Sequence, residues 1–165
     1  MMNHQHTLNQ KIVSPSQLKD LAASWKAEGK RIVFTNGCFD LLHAGHVAYL
    51  SEAAGLGDKL IVGLNSDQSV SCIKGPKRPV NNETTRATLL ASMFFIDAVV
   101  LFGDDTPLEL IKTVLPDVLV KGGDYTVDTI VGAQETIANG GSVEVLSFLP
   151  GYSSTSIIEK IRSSS

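Results

Sequence analysis

Cysteine is scarce in this sequence, and long apolar runs are missing from it. Its 165 residues include two cysteines, Cys38 and Cys72, which are too few for a disulfide framework and are typical of a reducing compartment. Apolar stretches such as residues 98–102 are far shorter than the ~20 residues that cross a bilayer. The polar start, residues 1–10, lacks the basic and apolar regions of a signal peptide. We therefore expect a cytoplasmic protein with no membrane partner.

An excess of positive charge is also missing. Lysine and arginine number 14 against 17 aspartates and glutamates, for a net charge of −3. The surface as a whole therefore does not attract nucleic acid, and an anionic ligand must be held by a local cluster of donors. The length predicts one domain, which we place at residues 14–165, with residues 1–13 as a loose N-terminal extension.

Short apolar runs alternate with helical patterns from residue 14 onward. The predicted strands cover residues 31–35, 60–64, 98–102, 118–121 and 143–146. Residues 14–17 and 106–109 resemble capping boxes that begin two of the helices between them. Alternation of this kind predicts an α/β fold, a doubly wound, five-stranded parallel sheet that is Rossmann-like. Ligands of such sheets bind beyond the carboxyl ends of the strands.

The strongest functional signal lies between the first predicted strand and the helix that follows it. The sequence there reads His43-Ala44-Gly45-His46. Two histidines three residues apart share a face of the first helical turn, and Gly45 keeps side chains out of the space between them. Free backbone N–H groups and the positive end of the helix make this junction an anion site. Capping or surface histidines are the alternative, but a single histidine would fit that alternative better than this spaced pair.

This turn resembles the nucleotidyltransferase superfamily, which is cytidylyltransferase-like and carries a His-x-Gly-His signature. The resemblance extends from about residue 12 to residue 162. Within this superfamily the chain is most similar to the adenylyltransferases of heptose 1-phosphate. In many bacteria these look like the second domain of a bifunctional kinase–adenylyltransferase. The matching stretches are residues 34–46, 74–76, 78–81, 104–111, 116–125 and 151–155.

The resemblance implies transfer of AMP from ATP to a sugar 1-phosphate, heptose 1-phosphate, in the synthesis of lipopolysaccharide. The products are an ADP-sugar (ADP-heptose) and pyrophosphate, formed by direct in-line attack on the α-phosphate. Mg²⁺ is expected to arrive with ATP, and no residue is assigned to hold a metal. The superfamily also makes a homodimer possible, by analogy alone.

The candidate residues follow from these stretches. His43, His46 and Lys74 are expected to be catalytic, with Lys74 in a basic loop that can close over phosphates. The residues expected to bind the nucleotide are Thr35, Asn36, Gly37, Cys38, Phe39, His43, His46, Lys121, Gly122, Gly123, Asp124, Ser153, Ser154 and Thr155. Those expected to bind the acceptor are Asp40, Asn65, Lys77, Arg78 and Arg86.

Simpler interpretations of several candidates stay open. A solvated basic loop explains Lys77 and Arg78 as well, and a surface helix explains Arg86. A tight turn accounts for residues 122–124, and helix capping accounts for one hydroxyl of residues 153–155.

Two other functions also stay open. A cytidylyltransferase for a polyol or amino-alcohol phosphate, such as glycerol 3-phosphate, is the first. Such enzymes resemble this chain at the two histidines, but they carry arginines where it has residues 94–97 and 151–153. The second is a nucleotide-sensing protein without turnover, which would not need His43, His46 and Lys74 together.

Overall fold

A single parallel sheet organises the computed structural model, which describes residues 4–164. Its spatial order is β1-β4-β3-β2-β5-β6. The strands are β1 (Ile12–Val13), β2 (Ile32–Gly37), β3 (Lys59–Asn65), β4 (Ala98–Phe102), β5 (Val118–Gly122) and β6 (Ser142–Leu146). The predicted doubly wound, Rossmann-like sheet is confirmed, but it has six strands and not five.

Helices connect the strands. They are α1 (His4–Lys11), α2 (Pro15–Ala27), α3 (Ala44–Ala54), α4 (Asp67–Lys74), α5 (Glu83–Ala91), α6 (Leu108–Val114), α7 (Ala133–Ala138) and α8 (Ser154–Ser163), with a 3₁₀ turn at Val127–Thr129. Ser14 begins α2 with a complete capping box, as predicted. The second predicted box is wrong, because Pro107 precedes α6 and no side chain caps it. Across residues 4–164, every helix is too short or too polar to cross a membrane.

The N-terminal segment is more ordered than the sequence suggested. Residues 4–11 form α1, which packs against α5, and the Lys11 ammonium donates to the carbonyl of Met93 at 3.0 Å. Ile12 and Val13 pair with β4 and supply the sixth strand. The prediction of a loose extension is therefore wrong for residues 4–13, while residues 1–3 lie outside the described part. A polar helix with no buried residue and a two-residue strand show no periodicity in the sequence.

The central strand β2 sends alternate side chains into two cores. Ile32 and Phe34 pack into one cluster with residues of α2 and α6, and Val33 packs into the other with residues of α3 and α5. Burial on both faces is typical of a parallel sheet covered by helices. On either side, β2 pairs with β3 and with β5. The strand order therefore reverses between β2 and β5, and the carboxyl ends of these two strands form the crevice where such sheets bind ligands.

Candidate active site

A cavity of about 580 Å³ lies at this reversal of strand order. The expected nucleotide-binding residues that line it are Asn36, Gly37, Cys38, Phe39, His46, Lys121, Gly122, Gly123, Asp124 and Ser154. Lys74 lines it as well, and so do three aromatic residues that sequence reasoning missed, Tyr49, Tyr125 and Phe148. The structure thus brings segments from four separate parts of the chain to one place.

The two histidines meet at the start of α3. His43 is the N-cap residue, and its Nδ1 accepts a hydrogen bond from the backbone N–H of His46 at 3.3 Å. The two rings stack with centroids 3.8 Å apart and planes inclined by 18°. Because Nδ1 of His43 is an acceptor, the neutral ring carries its proton on Nε2, which is left to donate to an anion.

Gly45 makes this stacking possible. A Cβ atom at residue 45 would lie 2.9 Å from Cβ of Tyr152 and 3.0 Å from Cε1 and Nδ1 of His43. Any side chain there would push the His43 ring out of its place. The glycine of the signature is therefore required by the close packing of His43 and Tyr152.

Both imidazoles are held in the neutral form near pH 7. Burial, together with the charges of His43 and Lys74, lowers the pKa of His46 to about 4. Burial also lowers the pKa of His43. Within residues 4–164, no group hydrogen-bonds the buried Nδ1 of His46. Buried polar atoms in proteins usually have partners, so this unpaired nitrogen is unusual.

The segment before α3 brings backbone to the cavity wall. Phe39 adopts a φ of 45°, a left-handed backbone conformation that residues other than glycine rarely adopt. Its ring covers Gly37, where a Cβ atom would lie 2.9 Å from Cε2 of Phe39. Strained backbone of this kind is concentrated at functional sites.

The end of β5 supplies a half-buried cation, Lys121. Lys121 donates to Oδ1 of Asn36 at 3.4 Å and lies 5.6 Å from the centre of the Tyr125 ring. Burial lowers the pKa of Lys121. Gly122 and Gly123 follow, and the Phe148 ring packs directly against them, where side chains would clash. The glycines are therefore required by this aromatic contact as well as by the turn.

The two lysines at the basic loop, Lys74 and Lys77, lie in different surroundings. Lys74 ends α4, is exposed and lines the cavity close enough to His46 to lower its pKa. Gly75 follows with a φ of +97°, which favours glycine. Lys77 is exposed and does not line the cavity. The geometry thus supports a role at the ligand for Lys74 and gives none to Lys77.

Asp40 ties that loop to the histidine turn. Its fully buried carboxylate accepts from Nε of Arg78 at 2.6 Å and from the backbone N–H groups of Val80 and Asn81 at 2.8 and 3.0 Å. Burial acts to raise the pKa of Asp40, but the hydrogen bonds from Asn81, Arg78 and Val80 outweigh it and lower the pKa overall. Asp40 lines the cavity, but both of its carboxylate oxygens hold the loop, and its acceptor role stays a prediction. Arg78 is engaged by Asp40 and keeps a ligand role only as a prediction.

The side chain of Arg86 has a structural role, and the prediction that it binds the acceptor phosphate is wrong. Its side chain is 0% exposed. Its guanidinium donates to the carbonyls of Asn81, Cys38 and Asn65 at 3.0, 2.7 and 2.8 Å, and to Oδ1 of Asp67 at 2.8 Å. It therefore joins the carboxyl ends of β2 and β3 to α5. Sequence reading expected a ligand contact or a surface position, because position within a helix does not show which face is buried.

The last helix closes the cavity from the other side. The hydroxyl of Ser153 caps α8 by accepting from the backbone N–H of Ser156 at 3.0 Å. Ser154 donates to the carbonyl of Leu41 at 3.0 Å and lines the cavity, while Thr155 is exposed and does not. Ser154 therefore joins α8 to the histidine turn.

Thr35 does not reach the cavity. It is 0% exposed, and its hydroxyl pairs with the hydroxyl of Tyr49 at 2.7 Å. The prediction that Thr35 touches the nucleotide is therefore wrong, and its contact positions the Tyr49 ring instead. Burial raises the pKa of Tyr49 to about 12, so its hydroxyl keeps its proton.

A doubly wound parallel sheet with a paired-histidine turn at the end of its central strand defines a nucleotidyltransferase. The sequence agrees with that class, since the model of the cytidylyltransferase-like family matches residues 34–160. The chain belongs to this family.

Curated relatives are identical to this chain at about half of the aligned positions. "Bifunctional protein HldE" from Marinomonas sp. (strain MWYL1) is 52% identical over 160 residues, which cover 97% of this chain and 34% of that protein. The protein of the same name from Rhodopseudomonas palustris (strain BisB5) is 54% identical over 151 residues, covering 92% and 31%. The chain thus spans about a third of the length of these relatives.

Two solved structures resemble the fold. The lipopolysaccharide core biosynthesis protein from Thermoplasma volcanium GSS1 matches with a TM-score of 0.58 and 27% identity, over 73% of this chain and 98% of that chain. Pantoate-beta-alanine ligase from Francisella tularensis matches with a TM-score of 0.61 and 17% identity, over 92% and 76%. The second likeness shows the fold alone.

Proposed function

We propose that this chain transfers AMP from ATP to a heptose 1-phosphate, forming an ADP-sugar and pyrophosphate. One observation carries the proposal: His46, Lys74 and Ser154 line one cavity at the switch point of the sheet, with His43 stacked on His46. Together with the free N–H groups at the start of α3, they form a cluster of neutral and positive donors suited to a triphosphate.

The lining residues suggest how ATP lies. The phosphates rest over the turn, where Nε2 of His43 donates and Lys74 adds positive charge. The nucleoside extends toward Gly122 and Gly123, where the rings of Tyr125 and Phe148 offer flat apolar surface. Exposed aromatic faces of this kind stack on bases.

The reaction needs positioning more than acid–base chemistry. The acceptor phosphate has a second pKa near 6, so an oxygen is already ionised at pH 7. That oxygen forms a bond to the α-phosphorus while the bond from the α-phosphorus to the bridging oxygen of the β-phosphate breaks, and pyrophosphate leaves with the electron pair. The histidines and Lys74 stabilise the charge that develops on the departing phosphates. No group on the protein has to remove a proton.

Mg²⁺ is proposed to enter with the nucleotide. In the part of the chain that the structure describes, no three His, Cys, Asp or Glu side chains are grouped to hold a metal ion. Mg²⁺ that arrives with a nucleotide is often held by phosphate oxygens. When bound, Mg²⁺ would neutralise part of the charge of the triphosphate.

The heptose assignment rests on sequence likeness. The stretches at residues 104–111 and 116–125 resemble heptose 1-phosphate adenylyltransferases. The Thermoplasma neighbour is called a lipopolysaccharide core biosynthesis protein. That name supports a sugar substrate used in making lipopolysaccharide. A homodimer and a cytoplasmic location stay predictions.

Pyrophosphate release tests the proposal. The chain is incubated with ATP, CTP, GTP or UTP, each paired with heptose 1-phosphate, glucose 1-phosphate or glycerol 3-phosphate. The proposal predicts the highest kcat/KM for ATP with heptose 1-phosphate. Release with CTP and glycerol 3-phosphate alone would favour the cytidylyltransferase, and nucleotide binding without any release would favour a sensing protein.

A further inference from the structure

A second cavity of about 380 Å³ adjoins the first. The two share the wall formed by residues 36–38 and by the side chains of Lys121 and Tyr125. Beyond that wall the second cavity is lined by polar side chains from three other segments, Asn65, Asp105, Thr106 and Thr129. Apart from Asn65, none of these four was predicted to bind a ligand.

We infer that this second cavity holds the acceptor, with its phosphate beside Lys121 and its sugar hydroxyls toward Asn65, Asp105 and Thr106. The inference rests on the proposed function and names the residues that would select the sugar. This site does not rely on Asp40 or Arg86 to bind the acceptor, since their polar groups are hydrogen-bonded within the protein.

Charge sets the direction of the acceptor. Lys121 is the one cation among the described residues that line the second cavity, so the phosphate belongs at that end. At the other end, Asp105 would repel a phosphate but accept hydrogen bonds from hydroxyl groups. Asn65 uses its amide N–H to reach Oγ of Ser69 at 2.9 Å, which leaves its carbonyl oxygen as an acceptor. A polyol with one phosphate at its end matches this distribution.

Lys121 is prepared for an anion. In the described residues its ammonium has a neutral amide oxygen, that of Asn36, as its hydrogen-bond partner and forms no salt bridge. A half-buried cation without a counter-ion is costly. Burial already lowers its pKa, and a phosphate would supply the missing charge.

The two cavities also offer separate places for the entering and leaving groups of an in-line transfer. Residues 36–38 line both cavities, so an α-phosphate beside them would lie next to an acceptor in the second cavity. His46 and Lys74 line only the first cavity, where pyrophosphate would leave. The entering and leaving groups would then lie in different cavities, as in-line transfer needs.

Substitutions at Asp105 test the inference, with the neighbouring Asp104 as a matched control. Both are exposed, but Asp104 does not line either cavity. Asp105→Ala should raise the KM for heptose 1-phosphate roughly tenfold or more, the loss expected for hydrogen bonds to a charged group. Its KM for ATP should stay within about twofold of wild type, and Asp104→Ala should leave both KM values unchanged.

Binding gives a second measurement that does not depend on turnover. Heptose 1-phosphate and inorganic phosphate are titrated calorimetrically into the chain saturated with a non-hydrolysable ATP analogue. Asp105→Ala should weaken the sugar phosphate and leave inorganic phosphate unaffected, whereas Lys121→Met should weaken both.

Three outcomes are decisive. The selective loss of sugar phosphate affinity in Asp105→Ala would support the inference. If Asp105→Ala matched Asp104→Ala while the wild type released pyrophosphate, the inference would be overturned and the proposed function would stand. If the wild type released no pyrophosphate with any sugar phosphate, both would fail.

Discussion

The Nδ1 atom of His43 accepts a hydrogen bond from the backbone N–H of His46, at 3.3 Å. This contact caps α3 and at the same time fixes the proton of the neutral His43 ring on Nε2. Capping and ligand binding are therefore functions of different atoms of one side chain, and substitutions can separate them.

His43→Asn should keep the fold and lose the activity. Asparagine is a good N-cap residue but has no imidazole to donate to a phosphate. We expect its free energy of unfolding to stay near that of wild type, while His43→Ala loses about 1 kcal/mol with the cap. Both should lower kcat by roughly 100-fold or more. Denaturant unfolding and pyrophosphate release measure the two effects, and full activity in His43→Asn would contradict the role of the ring.

The free energy of unfolding should fall as the pH drops from about 6.5 toward 4. The unfolded chain protonates His46 near its ordinary pKa of 6.5, but the folded chain does so only near 4. The unfolded state therefore binds more protons across this window, and acid favours it. Allowing for partial solvent screening, we expect a contribution of roughly 1 kcal/mol, with His43 acting in the same direction.

His46→Gln is the control for this pH effect. Its stability should depend less on pH between 6.5 and 4 than that of the wild type. Equal slopes in the two proteins, measured by urea unfolding, would mean that His46 keeps its ordinary pKa.

Lys74→Ala should lower kcat more than it weakens the binding of ATP. An exposed lysine at the edge of the cavity gains most from charge that develops in the transition state. Lys77→Ala is the matched control, because Lys77 is exposed on the same loop and does not line the cavity. Single-turnover rates and the Kd of an ATP analogue separate the two effects. Equal losses in kcat and affinity would indicate ground-state binding instead.

Arg86→Lys should destabilise the fold by about 3 kcal/mol. Lysine cannot replace the four hydrogen bonds that the buried guanidinium makes to three carbonyls and Asp67. Thermal unfolding measures the loss. A normal melting temperature with a raised KM for the acceptor would instead restore Arg86 to ligand binding.

Much of the fold could be read from the sequence because strands buried on both faces appear as short apolar runs. The edge strand β1 could not, since Ile12 and Val13 become a strand only by pairing with Val99 and Val100. Tertiary contacts created that element, and no local pattern encodes them.

The candidate site likewise combines residues that a local pattern reveals with residues that only tertiary contacts bring together. His43, Gly45 and His46 are adjacent in sequence, so their spacing revealed them. Phe148 gave no such signal, because its role depends on packing against Gly122, 26 positions away in the chain. Asp40 and Arg86 had the right chemistry for an acceptor, but their burial was visible only in three dimensions.

A crystal structure with α,β-methylene ATP tests the central claim most directly, because that analogue cannot break at the bond proposed to be cleaved. We predict that its β- and γ-phosphates lie within hydrogen-bond distance of Nε2 of His43, the His46 ring and the Lys74 ammonium. The α-phosphate should lie beside residues 37–38. Phosphates bound elsewhere, with the histidine turn empty, would contradict it.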